Sequence, residues 1–144
     1  MNELWQHLDE PGWTRTATLS KALSRADIAR YAGASGDVNL VHVDEPFSQA
    51  AGHPGILAHG MLTMGLTGSF VASLVGHHHL RHFGGRFAAP VVAGDALICT
   101  ATVRAVRPDD EGVTVELDLC TTTHNGTEVF HGQVVAFQRY EEKR

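Results

Sequence analysis

The stretch SGDVNLVHVD, residues 35–44, sets a carboxylate (Asp37), a carboxamide (Asn39) and an imidazole (His42) within a few positions of one another. On an ideal helix Asp37 and His42 would lie about 140° apart and face different ways. In a loop that curls back they can converge. A carboxylate beside an imidazole holds its tautomer and makes a pair able to take and return a proton near neutral pH. Asn39 both donates and accepts, which suits it to orient a charged neighbour. The same letters also read as Asx turns beside a partly exposed loop histidine, and the string alone does not separate the two readings. A second feature adds to the first. At AHGM, residues 58–61, a long apolar run begins. Gly60 there lets another molecule approach the backbone, and a helix N-terminus offers unpaired N–H donors and a positive dipole end. An acid–base pair plus a site for an oxygen that becomes negative fits chemistry beside a thioester carbonyl: addition of water across an α,β-unsaturated acyl group, or the reverse elimination.

These residues must be held by the elements around them. WTRTATLS has the Thr-rich alternation of a short strand. SRADIARYAG reads as a helix with Ser24 as N-cap, Asp27 completing a near capping box and Gly33 as its stop. Ile28 and Tyr31 share the face expected to pack inward. Residues 34–43 lack a period and read as a loop, and Asp44 caps a short helix that Pro46 tolerates and Gly52 ends. From Ala58 to Gly76 the chain is apolar on nearly every side, which predicts a helix enclosed by other structure. Gly65 and Gly68 lower its helix propensity by about 1 kcal/mol each, a cost consistent with close backbone approach. Four strand-like segments follow, LRHFGGRFAAP, ALICTATVRAVRP, GVTVELDLCTTT and TEVFHGQVVAFQRY, expected to close as a four-strand meander. Asn125-Gly126 suits a type I′ hairpin. The expectation is a single α+β domain over residues 1–144, an antiparallel sheet of about five strands wrapped around the apolar helix.

In these same residues the sequence resembles the MaoC-like hydratases and dehydratases of the hot-dog fold. YAGASGDVNLVHVD and GILAHGM stand where that family has Y-A-x-x-S-G-D-x-N-P-hydrophobic-H-x-D and G-x-hydrophobic-x-A-H-G-M, and GRFAAPVVAGDAL is similar to its R-F-x-x-P-V-x-x-G-D-x-L segment. The run AHGMLTMGLTGSFVASLVG is similar to the catalytic B subunit of mycobacterial-type (3R)-hydroxyacyl-ACP dehydratases. The resemblance implies that Asp37 and His42 form the catalytic dyad, with Asn39 supporting it and the Gly60 amide as oxyanion donor. His59 would either line the substrate channel or serve the helix start. It implies (3R)-specific hydration of trans-2-enoyl thioesters, or dehydration of 3-hydroxyacyl thioesters, carried on coenzyme A or acyl carrier protein, with no cofactor. It also implies pairing edge to edge with an identical chain or a related hot-dog subunit. One position departs: the Pro that follows Asn in the family is Leu40 here. Two rival readings are a thioesterase on the same fold and a non-catalytic acyl-binding subunit.

The remaining features bound the function. With 43% apolar and 19% charged residues and a net charge of -5, the chain suits a globular domain and gives no electrostatic reason to expect nucleic acid. The acidic start MNELWQHLDEPGW does not resemble a secretory signal, which points to the cytoplasm, and Met61 to Val75 is too short to span a bilayer. Strand parity puts Cys99 and Cys120 on opposite sides of the sheet as free thiols. His77, His78, His79 and His82 lack metal-site spacing, so no metal is expected. Arg81, Arg86, Arg104 and Arg107 are candidates for carrier phosphates or, alternatively, solvated sheet-edge charges.

Overall fold

The computed structural model describes residues 3–8, 10 and 12–140. After a 3-10 turn (Glu3–Gln6) come strand β1 (Thr14–Ser20), helix α1 (Arg25–Ser35), a 3-10 turn (Leu40–His42) and helix α2 (Glu45–Ala50). Helix α3 (Gly60–Val75) and strands β2 (Leu80–Phe87), β3 (Leu97–Pro108), β4 (Gly112–Thr123) and β5 (Glu128–Arg139) follow.

Helix α1 starts where Ser24 places it. The Ser24 hydroxyl accepts from the Asp27 amide while the Asp27 carboxylate accepts from the Ser24 amide, a full capping box. Hydrogen bonds from Ser24 hold the Asp27 carboxyl below its ordinary 3.8, so this stabilisation is complete above that value and fades as pH falls through the lowered one. Ser24→Ala should cost about 1 kcal/mol in urea unfolding with the slope unchanged. The helix runs past Gly33 and stops at Gly36, whose φ of +76° and N–H bond to the Ala32 carbonyl make the C-cap. Gly33 has no positive φ and stays within the helix. The stop is the glycine that adopts the left-handed conformation, and spacing does not say which one will.

The sheet order is β1-β3-β4-β5-β2, all antiparallel. Strands β3, β4 and β5 form a meander, but β2 lies on the far side of β5, so the four closing segments are not the consecutive meander expected from their order. Residues 88–96 carry the chain across from one sheet edge toward the other. The β4–β5 turn also differs from a type I′ hairpin. Gly126 alone has positive φ (+86°), and its N–H bonds the Thr123 carbonyl. Asn125 keeps negative φ because its side-chain oxygen accepts from the Thr123 hydroxyl and from the Thr127 amide and hydroxyl, giving a type I turn that closes on a left-handed glycine.

Helix α3 lies on the concave face of this sheet. Val71, Leu74 and Val75 pack against Cys99, Val115, Leu117 and Val134, and Trp5 adds a lid, its indole N–H donating to the Val75 carbonyl. Thr67 and Thr121 meet as a buried hydroxyl pair at 3.0 Å between helix and sheet. One side of α3 is open, however: Met61 is 55% exposed, and Gly65, Ser69 and Ser73 are exposed too. A single five-stranded sheet covers only part of a helix that is apolar all round. Cys99 faces the core and Cys120 the outer face, both free, with burial pushing the Cys99 thiol up to about 11.

Candidate active site

Two short turns build the polar loop. Asp37 follows the C-cap of α1, its amide donating to the Ser35 hydroxyl and its Oδ1 accepting from the Asn39 amide. Asn39 then caps the next turn, its Oδ1 accepting from the Val41 amide. Both side chains therefore make the Asx turns of the plainer reading. They also do more, because the 3-10 turn that Asn39 caps carries His42 back toward Asp37. Asp37 Oδ2 stands 3.8 Å from His42 Nε2, the carboxylate exposed and the imidazole largely buried.

The tautomer follows from a backbone contact. His42 Nδ1 lies 2.8 Å from the Leu57 carbonyl, which can only accept, so Nδ1 carries a proton and Nε2 is the nitrogen left to face Asp37. A gap of 3.8 Å is too long for a direct hydrogen bond. It suits one water oxygen touching both groups at about 2.8 Å.

His59 holds both partners in place. It is buried at the N-cap of α3, and its Nε2–H donates to the Asp37 carbonyl at 2.9 Å. Its ring stacks on His42 with centroids 3.7 Å apart and planes at 24°, while Tyr31 contacts it at 4.9 Å. His59 stands at the N-cap position of α3 but its side chain makes no cap hydrogen bond there; it bonds the Asp37 carbonyl and stacks on His42 instead. Gly60 is the first residue of α3, so its amide belongs to the unpaired set at the helix tip. A Cβ there would come within 3.2 Å of the Phe87 ring, leaving a hydrogen as the side chain that fits without a shift. Gly60 lines a cleft of about 380 Å³ against residues 87–91. Asp37, His42 and Gly60 are thus linked through His59, although the cleft lining includes neither Asp37 nor His42.

A family model, MaoC like domain, matches residues 7–125. The chain belongs to the MaoC-like family. An (R)-specific enoyl-CoA hydratase from Rhodospirillum rubrum is 33% identical over 126 residues, spanning 83% of this chain and 82% of that protein. Among solved structures, an (R)-hydratase from A. caviae involved in PHA biosynthesis superposes with a TM-score of 0.76 at 26% identity, covering 88% of this chain and 95% of that one. A C-terminally truncated HadBC (3R-hydroxyacyl-ACP dehydratase) complex from Mycobacterium tuberculosis gives a TM-score of 0.70 at 16% identity over 89% and 96%, a likeness of fold alone. The five-stranded sheet around α3 is therefore the α+β hot-dog fold of the MaoC-like proteins.

Leu40, where the MaoC-like pattern has Pro, opens the 3-10 turn and is half exposed. Asn39 already has φ -52° and ψ 136°, backbone that a following proline accepts. Leu40→Pro should therefore raise stability by about 0.4–1 kcal/mol by narrowing the unfolded ensemble, seen as a higher unfolding midpoint.

Two clusters of metal-type donors occur among the described residues, Asp37–His42–His59 and Cys120–Glu128–His131. In the first, two ring nitrogens are already engaged, His42 Nδ1 with the Leu57 carbonyl and His59 Nε2 with the Asp37 carbonyl. In the second, burial and neighbouring Glu128 push the Cys120 thiol up. Within the tract after α3, His79 donates from Nδ1 to the Phe137 carbonyl and meets Trp5 edge-on. Of the arginines, Arg104 and Arg107 both pair with Glu116, and Arg81 lies over the Phe137 ring. Thr63, which lines the Gly60 cleft, has no counterpart in the sequence reading, where a threonine inside an apolar helix passes as core.

Proposed function

We propose that this MaoC-like chain, residues 1–144 as one hot-dog domain, catalyses (3R)-specific hydration of trans-2-enoyl thioesters and the reverse dehydration. The observation that carries this reading is the 3.8 Å spacing of Asp37 Oδ2 and His42 Nε2, with the tautomer set by Leu57. In the hydration direction a water between the two groups gives up a proton as its oxygen attacks C3. The dyad returns a proton to C2, and the enolate oxygen formed meanwhile rests on the Gly60 amide at the positive end of α3. Atoms balance as one water added across one double bond. Asn39 supports the dyad by capping the turn beneath His42, and His59 by its bond to Asp37 and its stack on His42. No cofactor is required by these steps.

The similarity to an (R)-specific enoyl-CoA hydratase and an (R)-hydratase supports this reaction class, and coenzyme A or acyl carrier protein would bear the acyl group. A role in fatty-acid or polyketide metabolism in the cytoplasm goes with such substrates. No helix among the described residues is long and apolar enough to cross a membrane. Pairing with a second hot-dog unit, identical or related, is supported by the open edge of β2 and by exposed Val38, Leu40, Val43, Phe47, Met61 and Phe87.

The test is loss of the conjugated enoyl absorbance of crotonyl-CoA and longer enoyl thioesters, with free thiol followed in parallel. Absorbance loss without thiol release is expected. Thiol release instead would make the protein a thioesterase, and binding without turnover a non-catalytic acyl-binding subunit.

A further inference from the structure

A buried hydroxyl ordinarily finds a partner, and one left alone carries a desolvation cost. Thr63 is 2% exposed, and its Oγ1 has no hydrogen-bond partner among the described residues. Thr67, one turn further along α3, shows how a purely structural threonine is satisfied here, by pairing with Thr121. Thr63 stands three residues after Gly60, and side chains on a helix lean toward its N-terminus. Its hydroxyl thus leans over the turn that begins with the Gly60 amide. Both residues line the same cleft of about 380 Å³, whose other side chains, from Ala58, residues 87–91 and Val129, are all apolar. The cleft is therefore lined by a helix-tip amide and by Thr63, whose unpartnered Oγ1 lies buried beneath its wall, on the same helix and in an otherwise apolar surround.

We propose that the Thr63 hydroxyl is a second donor, beside the Gly60 amide, to the thioester carbonyl oxygen of the substrate. The assignment rests on the enoyl-thioester reading above. The oxygen gains negative charge as the enolate forms, and a fixed donor in an apolar surround acts most strongly at that moment. In the free protein the hydroxyl waits without a partner, and substrate supplies one.

The substitutions that test this are Thr63→Val, which keeps the shape and removes the donor, and Thr63→Ser, which keeps the donor and removes the methyl. On crotonyl-CoA, kcat of T63V should fall about tenfold or more, with KM changed less than about threefold. T63S should stay within about threefold of the native protein. The melting temperature of T63V should hold or rise, because an unpaired buried hydroxyl is gone. Full turnover by T63V, a fall in T63S as deep as in T63V, or a loss of T63V activity that tracks a lower melting temperature would each overturn the assignment. A native chain that does not hydrate crotonyl-CoA would remove the functional reading and this assignment with it. A hydrating native chain with an equally active T63V would remove this assignment alone.

Discussion

Asp37→Asn and His42→Ala should each slow hydration of crotonyl-CoA by at least about 10²-fold, within the 10²–10⁴ range of a positioned acid–base group, while the protein stays folded. Asparagine at 37 can still accept from the Asn39 amide, so the Asx turn survives and only the carboxylate is lost. Alanine at 42 removes both Nε2 and the stack on His59, and some loosening of the loop should accompany it. If the two groups handle one proton relay, the double mutant should fall little further than the slower single mutant, since residues that act as a unit are far from additive. Multiplicative losses would mean that the groups act independently, and near-native turnover by either single mutant would remove the dyad. The comparison needs only initial rates and a thermal melt of each variant.

A second substitution isolates a backbone hydrogen. Gly60 occupies the first position of α3, the place in a helix where proline is tolerated because the N–H there has no intrahelical partner. His59 has φ -63° and ψ 135°, backbone that a following proline accepts. Gly60→Pro therefore deletes the proposed oxyanion donor while leaving the helix its start. We expect kcat to drop about 10²–10³-fold, the effect of losing one such donor. Gly60→Ala is the matched control: its Cβ meets the Phe87 ring at 3.2 Å, a half-exposed side chain able to move, and it keeps the amide hydrogen. A folded G60P enzyme that works as well as G60A would show that this amide does not serve the reaction.

The loop was readable from sequence because its chemistry is local. Asp37, Asn39 and His42 lie within one short segment, and the Asx turns that shape it are encoded by the side chains of Asp37 and Asn39 themselves. The carbonyl of Leu57, which fixes the His42 tautomer, left no mark, since every residue has a carbonyl and only the fold selects one. Strand periodicity likewise revealed β2 as a strand but not its neighbour. Alternation reports which face a residue takes, whereas pairing with β5 depends on the crossing of residues 88–96. The choice of Gly36 over Gly33, and of a type I turn at Asn125, turned on dihedral angles that several sequences satisfy equally. Thr63 was hidden for a different reason: its significance lies in a bond it does not make.

Burial of Val71, Leu74 and Val75 sets which side of α3 meets the sheet, but apolar contact fixes the azimuth of a weakly amphipathic helix less sharply than a directional bond does. A rotation by one residue, about 100°, would swing the Gly60 amide and the Thr63 hydroxyl off their shared cleft. The Thr67–Thr121 contact acts as a locating key against such a turn, because any other azimuth strands two hydroxyls in a dry core. Orientation of the chemistry at one end of the helix is thus indexed by a polar contact two turns away that never meets the substrate.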